Sequence, residues 1–174
     1  GHQSISDAEV MEALMPGSTG SDLDHPSPPP QREAISIKGL TPGVAFSLAD
    51  CCYPVPGDRI VGLRRPNEPV VVHAIECSNL SDSVDADWVD LAWGKTEGGT
   101  ARLGLIVKNE PGALGVMATI LGTHKANILN ISLTHRDTAF HTNQVDIEVH
   151  DVQHLMRIIA ALRAADVVIS AERI

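Results

Sequence analysis

Cys51 and Cys52 stand side by side, and His73 and Cys77 follow with three residues between them. Three thiols and one imidazole make a complete Cys3His set for a tetrahedral zinc ion, the last two at a spacing that one turn can supply. Adjacent cysteines are the geometric difficulty. Neighbouring side chains diverge in an extended chain, so both can face one ion only where the backbone kinks, and Pro54 and Pro56 are the residues that permit a kink. The competing account makes the thiols small buried hydrophobes without metal. Three cysteines, two of them adjacent, count against a secreted disulfide framework.

A second constellation lies at Asn109-Glu110-Pro111-Gly112-Ala113-Leu114, where an alternating stretch gives way to helical spacing. The first N–H groups of a helix have no intrahelical acceptor, so such an end attracts an anion. The N–H groups of Gly112 to Leu114 can hold the carboxylate of a free amino acid, while the Asn109 side-chain oxygen accepts from its ammonium. Gly112 permits close approach. Asn127, Ile128 and Asn130 add polar groups and an apolar wall. From spacing alone, a plain turn with Asn109 as a local cap is the simpler reading of the same stretch. If it is a site, its wall of Ala113, Leu114, Ile128 and Met117 is apolar and favours valine or isoleucine over polar amino acids.

Elsewhere the chain carries no G-x-S-x-G elbow, P-loop or H-E-x-x-H motif, and no catalytic residue is assigned. His124, His135, His141, His150 and His154 fall at no ligand spacing and read as solvated surface. A formal net charge of -9 counts against a free-standing nucleic-acid binder, which needs surplus Lys and Arg on one face. Neither a membrane-length apolar run nor a signal-peptide pattern occurs, so a soluble, cytoplasmic chain is expected.

The elements that must position these residues follow from periodicity. Gly1 and His2 read as the remnant of a cleaved tag, and Ser6 to Met15 as a short helix ending at Pro16 and Gly17. The Ser-, Pro- and Gly-rich stretch after it reads as linker, so residues 1–33 hold no compact fold. Over residues 34–93, short apolar runs between turn signals predict a strand-rich module. The polar break GKTEGGT at 94–100 separates it from residues 101–174, where period-2 and period-3.6 stretches alternate in the order βαββαβ. That order predicts an α+β chain whose second half is ferredoxin-like, with one antiparallel sheet and both helices on one face.

Two passages resemble a family. LADCCYPVPGDRIVGL followed by VVVHAIECSNL is similar to the cysteine-containing, zinc-finger-like module of the long RelA/SpoT-type proteins, the bifunctional (p)ppGpp synthetase/hydrolases of the stringent response. LGLIVKNEPGALGVMATIL with ANILNISL is similar to the ACT domain that ends them. The resemblance covers residues 34–174, and the paired order makes it more specific than either half. A departure is Glu68-Pro69, which replaces the glycine-rich turn more usual before the family's histidine.

The resemblance implies a regulatory fragment whose hydrolase and synthetase domains lie upstream, so the fragment is not an enzyme while its parent is. It also implies that Cys51, Cys52, His73 and Cys77 match the family's zinc-finger positions. For the ACT half it implies amino-acid binding by Asn109, the turn through Leu114, Asn127 and Ile128, often at a homodimer interface. The expected partners are a free amino acid, the upstream catalytic domains and a second copy. A module that docks on the ribosome or a protein and binds no metabolite is the alternative. An ACT domain regulating a biosynthetic enzyme would fit the tail but not CCYPVPGD.

Overall fold

The computed structural model describes residues 35–83 and 86–174; the helix and linker expected before residue 34 lie outside the described residues. The first module comprises β1 (Ile37–Lys38), β2 (Phe46–Leu48), β3 (Ile60–Arg64), β4 (Val70–Ala74), a 3-10 turn (Ser78–Asp82) and β5 (Asp87–Trp93). These strands form one sheet in the order β1-β5-β3-β4-β2, in which only the β2–β4 pairing is parallel. Between β3 and β4 the Glu68 N–H donates to the Arg65 carbonyl at 3.3 Å, and Asn67 takes φ 63°. Proline followed by a left-handed residue is the type II pattern, and Asn67 is one of the few non-glycine residue types that tolerate it.

The second module is the expected βαββαβ unit: β6 (Gly99–Lys108), α1 (Ala113–Thr123), β7 (Asn127–Arg136), β8 (Phe140–Val149), α2 (Val152–Arg163) and β9 (Val168–Arg173). Its four strands are antiparallel in the order β7-β8-β6-β9. β6 begins at Gly99, inside the GKTEGGT break, because Gly99 and Thr100 pair with Val149 and Glu148. Alternation puts Leu103, Leu105, Val145 and Ile147 on one face, where they pack with Met117 and Leu121 of α1 and Leu155 and Ile158 of α2.

His154 corrects the surface reading of the histidines. It is 5% exposed, its Nδ1 accepts from the His150 N–H at 3.0 Å, and its Nε2 donates to the His124 carbonyl at 2.6 Å, which ties α2 to the end of α1. No helix among the described residues is long and apolar enough to cross a membrane.

The modules share a core. Val55, from the first module, is fully buried in the cluster that otherwise belongs to the second. The helix-free face of the second sheet supplies a further contact: Arg102 Cζ sits 4.3 Å from the Tyr53 ring centroid. Behind it, Arg102 donates to both Asp146 carboxylate oxygens, at 2.6 and 2.9 Å.

That bidentate pair holds the Asp146 carboxyl below its ordinary value of 3.8. A depressed carboxylate contributes stability above the unfolded value and loses it as pH falls through the folded one. Asp146→Asn is therefore expected to remove much of the acid-induced loss of stability below about pH 4, read as urea midpoints against pH. At neutral pH it should cost on the order of 2 kcal/mol, since hydrogen bonds to a charged, mostly buried group are lost.

Candidate metal centre and ligand-binding turn

Four donor atoms converge at the edge of the first sheet. Cys51 Sγ lies 3.4 Å from His73 Nδ1 and 3.5 Å from Cys77 Sγ, and Cys52 Sγ lies 3.9 Å from the same nitrogen. All four donors fall within 4.8 Å of one another. A tetrahedral ion with bonds of about 2.3 Å to sulfur and about 2.0 Å to nitrogen sets donor separations of roughly 3.5–3.8 Å, so the cluster fits one. His73 is on β4, and Cys77 follows on a turn closed by its N–H to the Ala74 carbonyl at 3.0 Å.

The adjacent cysteines both reach the centre because the chain turns sharply there. The Tyr53 N–H donates to the Ala49 carbonyl at 3.1 Å, and Tyr53 itself adopts φ 42°. The kink therefore lies at Tyr53 and not at Pro54 or Pro56. A left-handed tyrosine is strained, and persists only where its surroundings hold it. Burial pushes the Cys52 thiol up to about 12, although the Ala74 N–H at 3.4 Å opposes that shift. Burial, with Arg65 nearby, lowers His73 from its ordinary value, which keeps the ring neutral and able to ligate.

At the other constellation, Asn109 Nδ2 donates to the carbonyls of Asp137 and Thr138 at 3.1 and 3.2 Å. This commitment orients the amide and leaves its oxygen as the acceptor, four residues before α1 begins. Gly112 takes φ 87° with open space where a side chain would be, while Glu110 is exposed. One part of the sequence reading is corrected: the Ala113 N–H already donates to the Glu110 carbonyl at 3.2 Å. Gly112, at the N-cap, and Leu114 and Gly115, one and two residues into α1, are the positions whose N–H groups have no backbone acceptor, and helical bonding resumes with the Val116 N–H to the Gly112 carbonyl at 3.0 Å.

The eight expected residues do not gather within one chain. Asn109 follows Lys108 at the C-terminal end of β6, whereas Asn127 pairs with Glu148, which pairs with Thr100 near its N-terminal end. Roughly 26 Å of strand separates the two ends. Asn127 Nδ2 donates to Glu148 Oε2 at 2.7 Å, and Asn130 Nδ2 to Ser132 Oγ at 3.3 Å. Both asparagines pair with helix-free-face residues, Glu148 and Asp146, whereas Ile128 pairs with Ile147 on the helix face. On that helix face the edge strand β7 also leaves Ile131 45% and Leu133 53% exposed, and Leu114 of α1 is 48% exposed.

The sequence reading also missed Arg173. Its guanidinium donates to both Asp58 carboxylate oxygens at 2.9 and 2.6 Å and to the carbonyls of Cys52 and Tyr53 at 3.2 and 2.8 Å. No local pattern marks a residue whose partners lie 115 to 121 positions away.

A RelA/SpoT RIS domain model matches residues 35–94 and an ACT domain model residues 96–173. Over 154 residues, 85% of this chain, it is 33% identical to a GTP pyrophosphokinase rsh of Brucella ovis. Similarity to the GTP pyrophosphokinase of Escherichia coli is 30% identity over 134 residues, 73% of this chain. The chain spans about 20% and 18% of the length of these relatives. A crystal structure of the ACT domain from GTP pyrophosphokinase of Chlorobium tepidum aligns with 44% of this chain and 99% of its own, at 21% identity and TM-score 0.40.

Zinc added to chelator-stripped protein is expected to raise the melting midpoint and to release protons, because thiols ligate as thiolates. Affinity should fall by up to about tenfold per pH unit on acidification for each proton displaced. Cys52→Ala should abolish both effects; identical melting with and without zinc would leave the buried-thiol account standing.

Proposed function

The chain carries the RIS and ACT domains of the RelA/SpoT family, and on that premise we propose that it is the regulatory part of a (p)ppGpp synthetase/hydrolase whose ACT domain senses a free branched-chain amino acid. The single observation that carries the ligand reading is the Asn109 amide, whose nitrogen is committed to Asp137 and Thr138 and whose oxygen is left to accept at the mouth of α1. An α-ammonium meets that oxygen, and the α-carboxylate meets the first free N–H groups of the helix. Zinc in the Cys51, Cys52, His73 and Cys77 cluster serves the fold of the first module.

A complete site needs a second copy. If two β7 edges pair antiparallel about a two-fold axis, the Asn127 end of one copy comes beside the Asn109 to Leu114 turn of the other. Ile128 then supplies apolar wall from the helix face, with Asn127 at the rim, while Asn130 stays with Asp146 on the far face. The exposed Ile131, Leu133 and Leu114 supply the apolar surface such a dimer would bury. Binding across the interface makes the ligand favour the dimer, and differential affinity of this kind is what biases the upstream domains between synthesis and hydrolysis.

Selectivity comes from the wall. Each buried methylene gains about 0.8 kcal/mol, whereas an unpaired buried hydroxyl costs about 1–3 kcal/mol. Calorimetric titration with the twenty amino acids is expected to give valine and isoleucine as the tightest ligands, with little discrimination between them. Asn109→Ala should weaken valine at least tenfold, and Leu133→Glu should yield a monomer that binds weakly. Silence with every amino acid would instead support docking on the ribosome or a protein without a metabolite. The purified chain should neither make nor cleave (p)ppGpp; measurable turnover would overturn the regulatory reading.

A further inference from the structure

We infer that Arg173, on the last strand of the ACT domain, is a positioning residue of the candidate metal centre and sets its affinity from outside the RIS domain. This rests on the metal reading above. The centre requires Cys51 and Cys52 to turn toward one point, and the turn requires Tyr53 at φ 42°. Such a conformation relaxes unless neighbours hold it. Arg173 holds it directly, since one guanidinium nitrogen, Nη2, donates one hydrogen toward Asp58 and shares the other between the carbonyl of the strained Tyr53 at 2.8 Å and, more weakly, that of Cys52 at 3.2 Å.

The other end of the loop is pinned by the same group. Nη1 and Nη2 donate to the Asp58 carboxylate at 2.9 and 2.6 Å, and Asp58 Oδ2 also accepts from the Val55 N–H at 2.7 Å. Asp58 is kept in place in turn by Trp93 Nε1, which donates to its carbonyl at 3.0 Å. The ion pair is mostly shielded, with side-chain exposures of 24% and 9%. Lysine cannot substitute: a single ammonium lacks the planar fork that meets a carboxylate and two carbonyls at once.

Arg173 makes its hydrogen bonds to Asp58 and to two backbone carbonyls and to none of the four donor atoms, so its positioning effect runs through the backbone that carries Cys52. Groups behind a ligand that fix its orientation are worth about 10–100-fold in metal affinity. Because the arginine belongs to β9 of one domain and the ligands to the other, metal binding and the packing of the ACT sheet are linked, and linkage is reciprocal.

The test uses the whole chain with Arg173→Lys, Arg173→Met and Asp58→Asn, each checked for native circular dichroism. Zinc affinity is measured by competition with a chromophoric chelator, ligand geometry by the absorption of the cobalt form, and Cys52 accessibility by its alkylation rate in metal-free protein. Expected are at least tenfold weaker zinc in all three variants, a shifted cobalt spectrum, and at least tenfold faster alkylation of Cys52 with Cys77 little changed. The combined Arg173→Met and Asp58→Asn variant should lose little more than either alone. Should Arg173→Met fail to fold, the lysine variant decides. Wild-type zinc affinity and spectrum in a folded variant would overturn the role. If the unaltered chain binds no zinc, the metal reading fails, and the alkylation rates alone then decide whether Arg173 holds the loop.

Discussion

The seating of the Cys51 to Asp58 loop on one end of the ACT sheet is the interaction on which the rest of the structure depends. The RIS sheet buries Ile60, Val61, Leu63, Val70 and Val72 along its strands, with Leu80 of the 3-10 turn, a core that secures the sheet but does not by itself fix the shape of the cysteine loop at its end. The loop is held from the other side. Val55 enters the ACT core, the Val152 N–H at the start of α2 donates to the Pro56 carbonyl at 2.8 Å, and Arg173 grips both ends. Gly57, at φ 95°, lies where a Cβ would stand 2.8 Å from Val152 Cγ1, so the turn and the helix start approach as closely as they do only with glycine there.

This arrangement explains how adjacent cysteines serve one centre. The difficulty is real for an extended chain, and its resolution is a tight turn with a left-handed tyrosine, an unfavourable conformation offset by contacts on both sides of the peptide. The Tyr53 ring lies against Arg102, which is itself fixed by Asp146, while the Tyr53 carbonyl is fixed by Arg173. Two arginines from one domain thus stabilise a single strained residue of the other, and the donor cluster inherits its shape from them.

The ACT half has a different incompleteness. Its Asn109 turn and its Asn127 strand start are at opposite ends of the sheet, and its edge strand exposes Ile131 and Leu133 on the face that elsewhere is covered by helices. An antiparallel neighbour across that edge is the arrangement that meets both facts at once. On the function proposed above, ligand would be read through assembly, since the Asn109 turn and the Asn127 strand start lie at opposite ends of one sheet.

The periodicities in the sequence determined most of the architecture: alternation placed Leu103, Leu105, Val145 and Ile147 on one sheet face, and helical spacing selected Met117, Leu121, Leu155 and Leu162 to cover it. These patterns are local, and so is the pairing of His73 with Cys77 through one turn. The donor set was legible for that reason, because its four residue types announce themselves without reference to the fold. His154 was not, since its role rests on the His124 carbonyl thirty positions away and nothing around it distinguishes a bridging imidazole from a surface one. Tertiary structure alone decided that Tyr53 and not a proline makes the kink, that Arg173 secures it across 120 positions of chain, and that antiparallel register carries Asn127 to the far end from Asn109. Each of those depends on which distant backbone or side-chain group lies opposite, and spacing along the chain holds no record of that.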